Sequence, residues 1–256
     1  PGLREDQQTI DKYLKAYELQ KERGDKVSII GTFKVAFRQK NFVMYISLFL
    51  GYNILRACML GSLQYGLRYV LKVPAIYSTI VMAGYLVSSL VSTPIWAKLA
   101  KKTDDNRKIM IAGAILSCVF TLPMTFLTDI TSWVIILILW GIGIAGIFAV
   151  SRPVFADIID ESITITGKRN EGLFNGVNSF VIRFSIVAQA IIFAVVHTLT
   201  GFVEGADIQS AEAIWGIQLT LGIIPMFFLL FGTLVFWKFY DLTPTKVLEI
   251  KAKLKE

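Results

Sequence analysis

Residues 133–150 read WVIILILWGIGIAGIFAV, eighteen consecutive positions without a charged or amide side chain. An α-helix of about 20 predominantly apolar residues spans the hydrocarbon core of a bilayer. Five more apolar blocks of similar or greater length occur in the chain, at about 42–71, 75–97, 109–127, 173–202 and 214–239. The sequence therefore predicts an all-α membrane protein with six transmembrane helices.

The composition of the whole chain excludes several other classes of protein. Hydrophobic residues make up 54% of the 256 positions and charged residues only 18%, whereas soluble domains carry about 25% charged residues. Such a chain is too apolar to be disordered. The two cysteines, Cys58 and Cys118, both lie in apolar blocks, which excludes a secreted disulfide scaffold. No block alternates as a barrel strand does, and a lipid-exposed backbone must satisfy its own hydrogen bonds, so helices are expected.

The distribution of basic residues predicts the orientation of the six helices. Of the 26 lysines and arginines, 22 fall on one side, in residues 1–41, in the loops 98–108 and 151–172, and from Lys238 onward. The positive-inside rule makes that side cytoplasmic, with both ends of the chain there. We expect a multi-pass protein of the plasma membrane with lipid as a partner. The net charge of +7 then reflects topology, and no nucleic-acid partner is expected.

Three segments follow from this topology. Residues 1–41 are expected to form a cytoplasmic loop with amphipathic helices, residues 42–239 a six-helix transmembrane bundle, and residues 240–256 a cytoplasmic tail.

Charged side chains inside the apolar blocks are the strongest functional signal. No Asp or Glu lies in the six blocks, but Arg56 and Arg183 lie well inside the first and fifth. A charge at that depth costs several kcal/mol and usually marks a substrate or ion pathway.

Each arginine belongs to a polar stripe. Asn53, Arg56 and Gln64 share one helical face of the first block, and seven polar residues of the fifth block fit an arc of about 160°. We therefore predict six substrate-binding residues: Asn53, Arg56, Gln64, Asn178, Arg183 and Gln189. Hydrogen bonding between neighbouring helices is the structural alternative for both stripes.

Catalytic patterns do not occur in the sequence. There is one histidine, no cluster with metal-ligand spacing, and no nucleophile or intramembrane-protease motif. We expect no catalytic residues, no metal site and no enzyme activity. Gly141, Gly143 and Gly146 are predicted to allow close helix packing.

The charged segment after the fourth block carries a recognisable pattern. Residues 156–161 read ADIIDE and residues 166–172 read TGKRNEG, ahead of the polar-striped fifth block, and the last block closes with FYDL at 239–242. This pattern resembles the glycoside–pentoside–hexuronide:cation symporter family of the major facilitator superfamily. The resemblance covers nearly the whole chain, but only the second half of such a carrier.

That resemblance implies a fold and a mechanism. The six blocks would be helices 7 to 12, the C-terminal bundle of a twelve-helix major facilitator fold, with residues 1–41 as the central cytoplasmic loop. The partner would be the N-terminal six-helix half of the same chain. A small-molecule solute would bind between the two halves and would be transported by alternating access. Na⁺ or H⁺ would be the coupling ion, held mainly in the N-terminal half, with no other cofactor. Arg183 occupies a position where the family carries a lysine near the cation and sugar sites, which implies a role in cation coupling. Ala149 departs from the family, because the melibiose carrier has a sugar-stacking tryptophan there.

We therefore predict cation-coupled symport of a glycoside, a hexuronide or a related small solute. Two arginines favour a hexuronide slightly, because a guanidinium suits a carboxylate better than a hydroxyl. A cytoplasmic gate of ion pairs is predicted, in which charge reversal at Asp157 should change the transport rate more than the affinity. Its candidate residues are Arg152, Asp157, Asp160, Lys168, Arg169 and Glu171.

Other interpretations stay open at this point. The charged segment can instead be a solvated loop. The protein can be a lysolipid carrier of the same family, or a stand-alone six-span channel or accessory membrane subunit.

Overall fold

The structure is a computed structural model that describes residues 34, 36–167 and 171–254, and the part of the chain it describes contains helices and no strands. Six of its helical segments are long and apolar enough to cross a membrane. The predicted fold class and number of spans are thereby confirmed. Most of the N-terminal loop for which amphipathic helices were predicted, residues 1–33 and 35, lies outside the described residues.

The helices are numbered here in chain order. The first span is α1 (Lys40–Tyr65), which continues as a π-helical turn (Gly66–Val70). The next spans are α2 (Tyr77–Thr103), α3 (Asn106–Thr121) with a 3₁₀ turn (Leu122–Thr125), α4 (Ile130–Thr166) and α5 (Glu171–Leu199). The sixth span consists of α6 (Ala211–Leu221) and α7 (Ile223–Phe239), and the tail forms α8 (Pro244–Lys253).

Polar caps fix the starts of three helices. Asp105 accepts a hydrogen bond from the backbone N–H of Lys108 (3.0 Å) at α3, and Asp129 accepts one from Ser132 (2.8 Å) at α4. Ser210 does the same for the N–H of Ala213 (3.1 Å) at α6. These side chains satisfy backbone donors that a helix start leaves unpaired.

The helices pack in two groups around α4 and α1. Helix α4 lies against α2 and α3, whereas α1 lies against α7 and α5. The three glycines of α4 are contact points, as predicted: Gly141 touches Tyr85 and Ser88 of α2, and Gly143 and Gly146 face Ser117 and Gly113 of α3. Small residues let helix backbones approach closely, which is a main source of helix association in membranes.

Helices α1 and α7 touch through a reciprocal pair of glycines. A Cβ added at Gly51 would lie 2.8 Å from Leu229 Cα, and one added at Gly232 would lie 2.8 Å from Leu48 Cα. Each added Cβ would meet backbone atoms of the other helix, which cannot move aside as a flexible side chain can. Contact between α1 and α7 therefore depends on both glycines.

Two predicted boundaries are wrong. The fourth span was expected to end near residue 150 and lead into a loop, but α4 continues to Thr166 and ends at Gly167, whose φ is 66°. The extension carries buried side chains at three- and four-residue spacing, including Val154, Ile158 and Glu161. Packing of this face keeps the segment helical although it is charged.

The sixth span was expected to be one helix, but it breaks at Gly222 (φ −123°, ψ −88°). The break is stabilised from the 3₁₀ turn after α3, because the N–H of Ile223 donates to the Thr125 hydroxyl oxygen at 3.1 Å. Pro225, one turn later, has no N–H to donate. A backbone group freed inside a membrane is thus satisfied by a neighbouring helix, as such breaks require.

Replacing Gly51 with alanine should destabilise the bundle by about 1–3 kcal/mol, because the added methyl group collides with the backbone of α7. The matched control is Gly172→Ala, since no described atom lies within 4 Å of a Cβ at that position. The measurement is the thermal unfolding midpoint of both purified variants in detergent. Equal midpoints would contradict the close contact between α1 and α7.

Candidate functional site

A cavity of about 220 Å³ opens between α1, α4 and α5. Aromatic side chains of α1 and α4, among them Tyr45, Tyr52 and Phe155, form much of its wall. Its polar lining consists of Asn53, Arg56, Ser151, Arg152, Asn175 and Asn178. A mostly apolar wall with a few convergent polar groups is typical of a small-molecule site.

Helical spacing explains why these side chains converge. On α1, Tyr45, Phe49, Tyr52 and Arg56 follow one another at intervals of four, three and four residues, so they occupy one face. On α4, similar spacing places Phe148, Arg152 and Phe155 on one face. On α5, it places Asn175, Asn178 and Ile182 on one face. The cavity is therefore enclosed by one face from each of three helices.

Both arginines of the cavity lack a carboxylate partner among the described residues. Arg56 interacts with the Tyr52 hydroxyl, and Arg152 lies near Tyr45. No Asp or Glu belongs to the lining. The cavity therefore carries two positive charges that pair with no acidic side chain in the part of the chain that the structure describes.

The two asparagines differ in their hydrogen bonding. Asn53 is buried, and its side-chain N–H donates to the carbonyl oxygen of Phe49 at 2.7 Å. The side-chain oxygen of Asn178 is buried and accepts no hydrogen bond from the described residues. A buried acceptor without a donor is unusual and costs free energy, so Asn178 has capacity for a ligand donor.

Three of the predicted substrate residues line the cavity and three do not. Asn53, Arg56 and Asn178 lie together in its lining. The other predicted residues lie elsewhere on the same two helices: Gln64, Arg183 and Gln189.

Their positions follow from how α5 packs. The side chains that α5 buries are Phe174, Val177, Val181 and Ser185. Gln189 sits at the edge of this face, where its amide nitrogen would lie 2.8 Å from a Cβ at Gly61 of α1. Arg183 and Gln64 are exposed, and Arg183 forms no ion pair with the described residues.

The predicted gate residues are dispersed in the structure. Arg152 lines the cavity, and Asp157 forms an ion pair of 2.9 Å with Lys251 of α8. Asp160 is half-buried on α4 and Glu171 is the first residue of α5. The remaining two, Lys168 and Arg169, lie outside the described residues.

A polar cluster next to this ion pair was missed by the sequence analysis. Glu161 accepts hydrogen bonds from the side chains of Asn41 (2.8 Å) and Gln39 (2.9 Å). Asp241 accepts from Asn41 (2.7 Å) and from Lys246 (2.9 Å). The cluster joins the start of α1, the end of α4 and the start of α8. Glu161 belongs to the ADIIDE pattern and Asp241 to the FYDL pattern. These two patterns were the sequence signal from which the cluster could have been predicted.

The partners of Asp241 stabilise the charged form of its carboxylate. Burial alone would raise the pKa of Asp241, but hydrogen bonds from Lys246, Asn41 and Lys40 lower the pKa to about 2. Asp241 therefore stays ionised at any physiological pH and holds these three groups together.

A membrane-spanning helical bundle with polar side chains converging on a cavity between its helices is an arrangement that transport proteins use. A family model described as MFS/sugar transport protein matches residues 8–244, and the chain belongs to this family. The family is one of transporters, and the six apolar helices make this chain a multi-pass membrane segment of such a protein.

Two relatives agree with this assignment. The glucuronide carrier protein homolog of Escherichia coli is 26% identical over 199 residues, which cover 76% of this chain and 42% of that protein. An uncharacterized symporter of Synechocystis is 31% identical over 123 residues, which cover 45% of this chain and 22% of that protein. The chain thus spans less than half the length of the curated relatives it matches.

Asp241→Asn should lower the thermal unfolding midpoint at pH 7, because it removes the charge that Lys40 and Lys246 share. A lowered pKa stabilises the fold above the unfolded value of about 3.9, and the stabilisation is lost as the pH falls towards 2. The difference in unfolding midpoint between Asp241→Asn and the wild type should therefore persist from pH 7 to about pH 4 and diminish only below that.

The control for this prediction is Asp207→Asn, whose partner Arg68 lies 3.3 Å away at an exposed position. Exposed ion pairs contribute little, so this variant should unfold like the wild type. If the two variants unfold alike, the cluster does not stabilise the fold.

Proposed function

We propose that this transporter carries out cation-coupled symport of a glycoside, a hexuronide or a related small solute by alternating access. The observation that carries the proposal is the cavity between α1, α4 and α5, where Asn53, Arg56 and Asn178 converge within an aromatic wall. Amide groups suit sugar hydroxyls, and a guanidinium suits a carboxylate.

The six helices act, in this proposal, as the C-terminal half of a twelve-helix carrier. The exposure of α2 and α5 supports it, because only 17% and 11% of their most apolar stretches are buried. On α5 the exposed surface includes Arg183, which is costly against lipid. A second six-helix bundle, the N-terminal half of the same chain, would cover it. Residues 1–41 would then join the halves on the cytoplasmic side, where both ends of this segment would lie.

Coupling to a cation would depend on Arg183. A guanidinium on the surface that faces the other half can pair there with a carboxylate in one conformational state. Na⁺ or H⁺ binding at that carboxylate would compete with the ion pair and free the carrier to change state. Binding of the cation and of the solute would thereby be linked through one contact.

The relatives support the substrate class. One is named for a glucuronide and the other as a symporter. Two arginines in the cavity agree with an acidic sugar.

The test is solute uptake by the complete protein in sealed vesicles, with and without an imposed Na⁺ or H⁺ gradient. A galactoside and a glucuronide are offered separately. The wild type should accumulate at least one of them only when a gradient is present. Arg183→Ala should abolish this accumulation, because the carboxylate opposite loses its competitor.

The control is Arg68→Ala, which removes an exposed arginine at a distance from the cavity and should leave accumulation unchanged. Leak of both solutes without a gradient would instead indicate a channel. Transport of a lysolipid with no uptake of either sugar would indicate a lipid carrier, and both outcomes contradict symport of sugars.

A further inference from the structure

The cavity contains an arginine, Arg152, that the sequence pattern had placed in a different site. Arg152 was predicted to belong to a cytoplasmic gate, because residues 151–172 were expected to form a loop. In the structure α4 continues through this segment. Arg152 therefore lies one helical turn beyond Phe148 and shares its face, which lines the cavity.

Arg56 of α1 and Arg152 of α4 thus line one cavity from two different helices. Neither forms an ion pair with the described residues, and the described lining contains no carboxylate. Arg56 interacts with Tyr52, and Arg152 lies near Tyr45; tyrosine is uncharged near neutral pH. Both side chains are exposed in this structure, and two like charges that line one cavity repel each other, so this arrangement is stabilised when an anion binds.

Guanidinium chemistry narrows the class of anion. The planar fork of an arginine matches the two oxygens of a carboxylate, and such charge-assisted hydrogen bonds are about twice as strong as neutral ones. The aromatic wall formed by Tyr45, Phe49 and Phe155 suits a ring-sized body. On the α5 side, the unpaired oxygen of Asn178 can accept a hydrogen bond from a hydroxyl.

We propose that Arg56 and Arg152 together form a subsite for the carboxylate of a sugar acid, and that Arg152 is a specificity-determining residue rather than part of a gate. This inference rests on the proposed function in taking the cavity as the solute site. The carboxylate lies between the two guanidinium groups, and the sugar ring extends towards Asn178. A neutral glycoside leaves both charges uncompensated and binds more weakly.

The test compares two solutes that differ only at carbon 6, methyl β-D-glucuronide and methyl β-D-glucoside. Their affinities are measured by calorimetry on the purified complete protein. The wild type should bind the glucuronide at least about tenfold more tightly, since hydrogen bonds to charged groups have this magnitude. Arg56→Gln and Arg152→Gln should each remove most of the preference and change glucoside affinity little. Arg152→Lys should keep part of the preference, because it retains the charge without the fork.

The outcomes separate this inference from the proposed function. Gradient-driven uptake of both solutes with equal affinities would remove the subsite and leave the symporter. A glucuronide preference that depends on both arginines, without gradient-driven uptake, would keep the subsite and remove symport. An Arg152→Gln variant that weakens both solutes equally, or that keeps the full preference, would overturn the role of Arg152.

A second measurement needs no variant and therefore does not depend on mutant folding. Phenylglyoxal, which modifies arginine side chains, is applied to the wild type, and the modified peptides are quantified by mass spectrometry. Methyl β-D-glucuronide should slow modification of both Arg56 and Arg152, whereas the glucoside should not. Arg68 serves as the internal control, with no protection by either solute. Protection of Arg56 alone would contradict a shared subsite.

Discussion

The cost of placing a guanidinium group among helices that cross a bilayer is the constraint on which this structure depends. All three arginines are exposed in this structure: Arg56 and Arg152 line the cavity, whereas Arg183 lies on α5 outside it. A membrane protein retains such charges only when water, a ligand or an opposite charge reaches them. The functional site is therefore expected on the side of the bundle that carries these polar side chains. The glycine contacts of α4 and α7 hold the helices of the bundle close together.

Most of the fold could be predicted from the sequence, because hydrophobicity over twenty residues is a strong and local signal. Spans one to five were located within a few residues except at the ends of α2 and α4, which both continue farther than expected. The end of α4 was missed because charge was taken to end a helix, whereas Ile158 and Glu161 continue its buried face. The break at Gly222 was missed because it depends on Thr125, which is distant in the sequence but supplies the hydrogen bond. Tertiary partners of this kind leave no periodic pattern.

Half of the predicted substrate residues lie in the cavity, and the reason is geometric. A stripe on a helix predicts which residues share a face, but not which neighbour covers that face. Asn178 lies where α5 meets the cavity, whereas Arg183 lies farther round the helix on the exposed side. In the cluster of Glu161 and Asp241, hydrogen bonds from Asn41 join segments 120 and 200 residues apart, so only the structure shows it.

The central claim is that solute enters the cavity between α1, α4 and α5, and thiol labelling tests it most directly. Both native cysteines, Cys58 and Cys118, are buried and can be replaced by alanine to give a background variant without these thiols. Asn178→Cys in that background should react with a membrane-impermeant thiol reagent, and methyl β-D-glucuronide should slow the reaction, whereas the buried control Val177→Cys should not react. A cysteine at position 178 that reacts at the same rate with and without solute, or not at all, would contradict a solute site in this cavity.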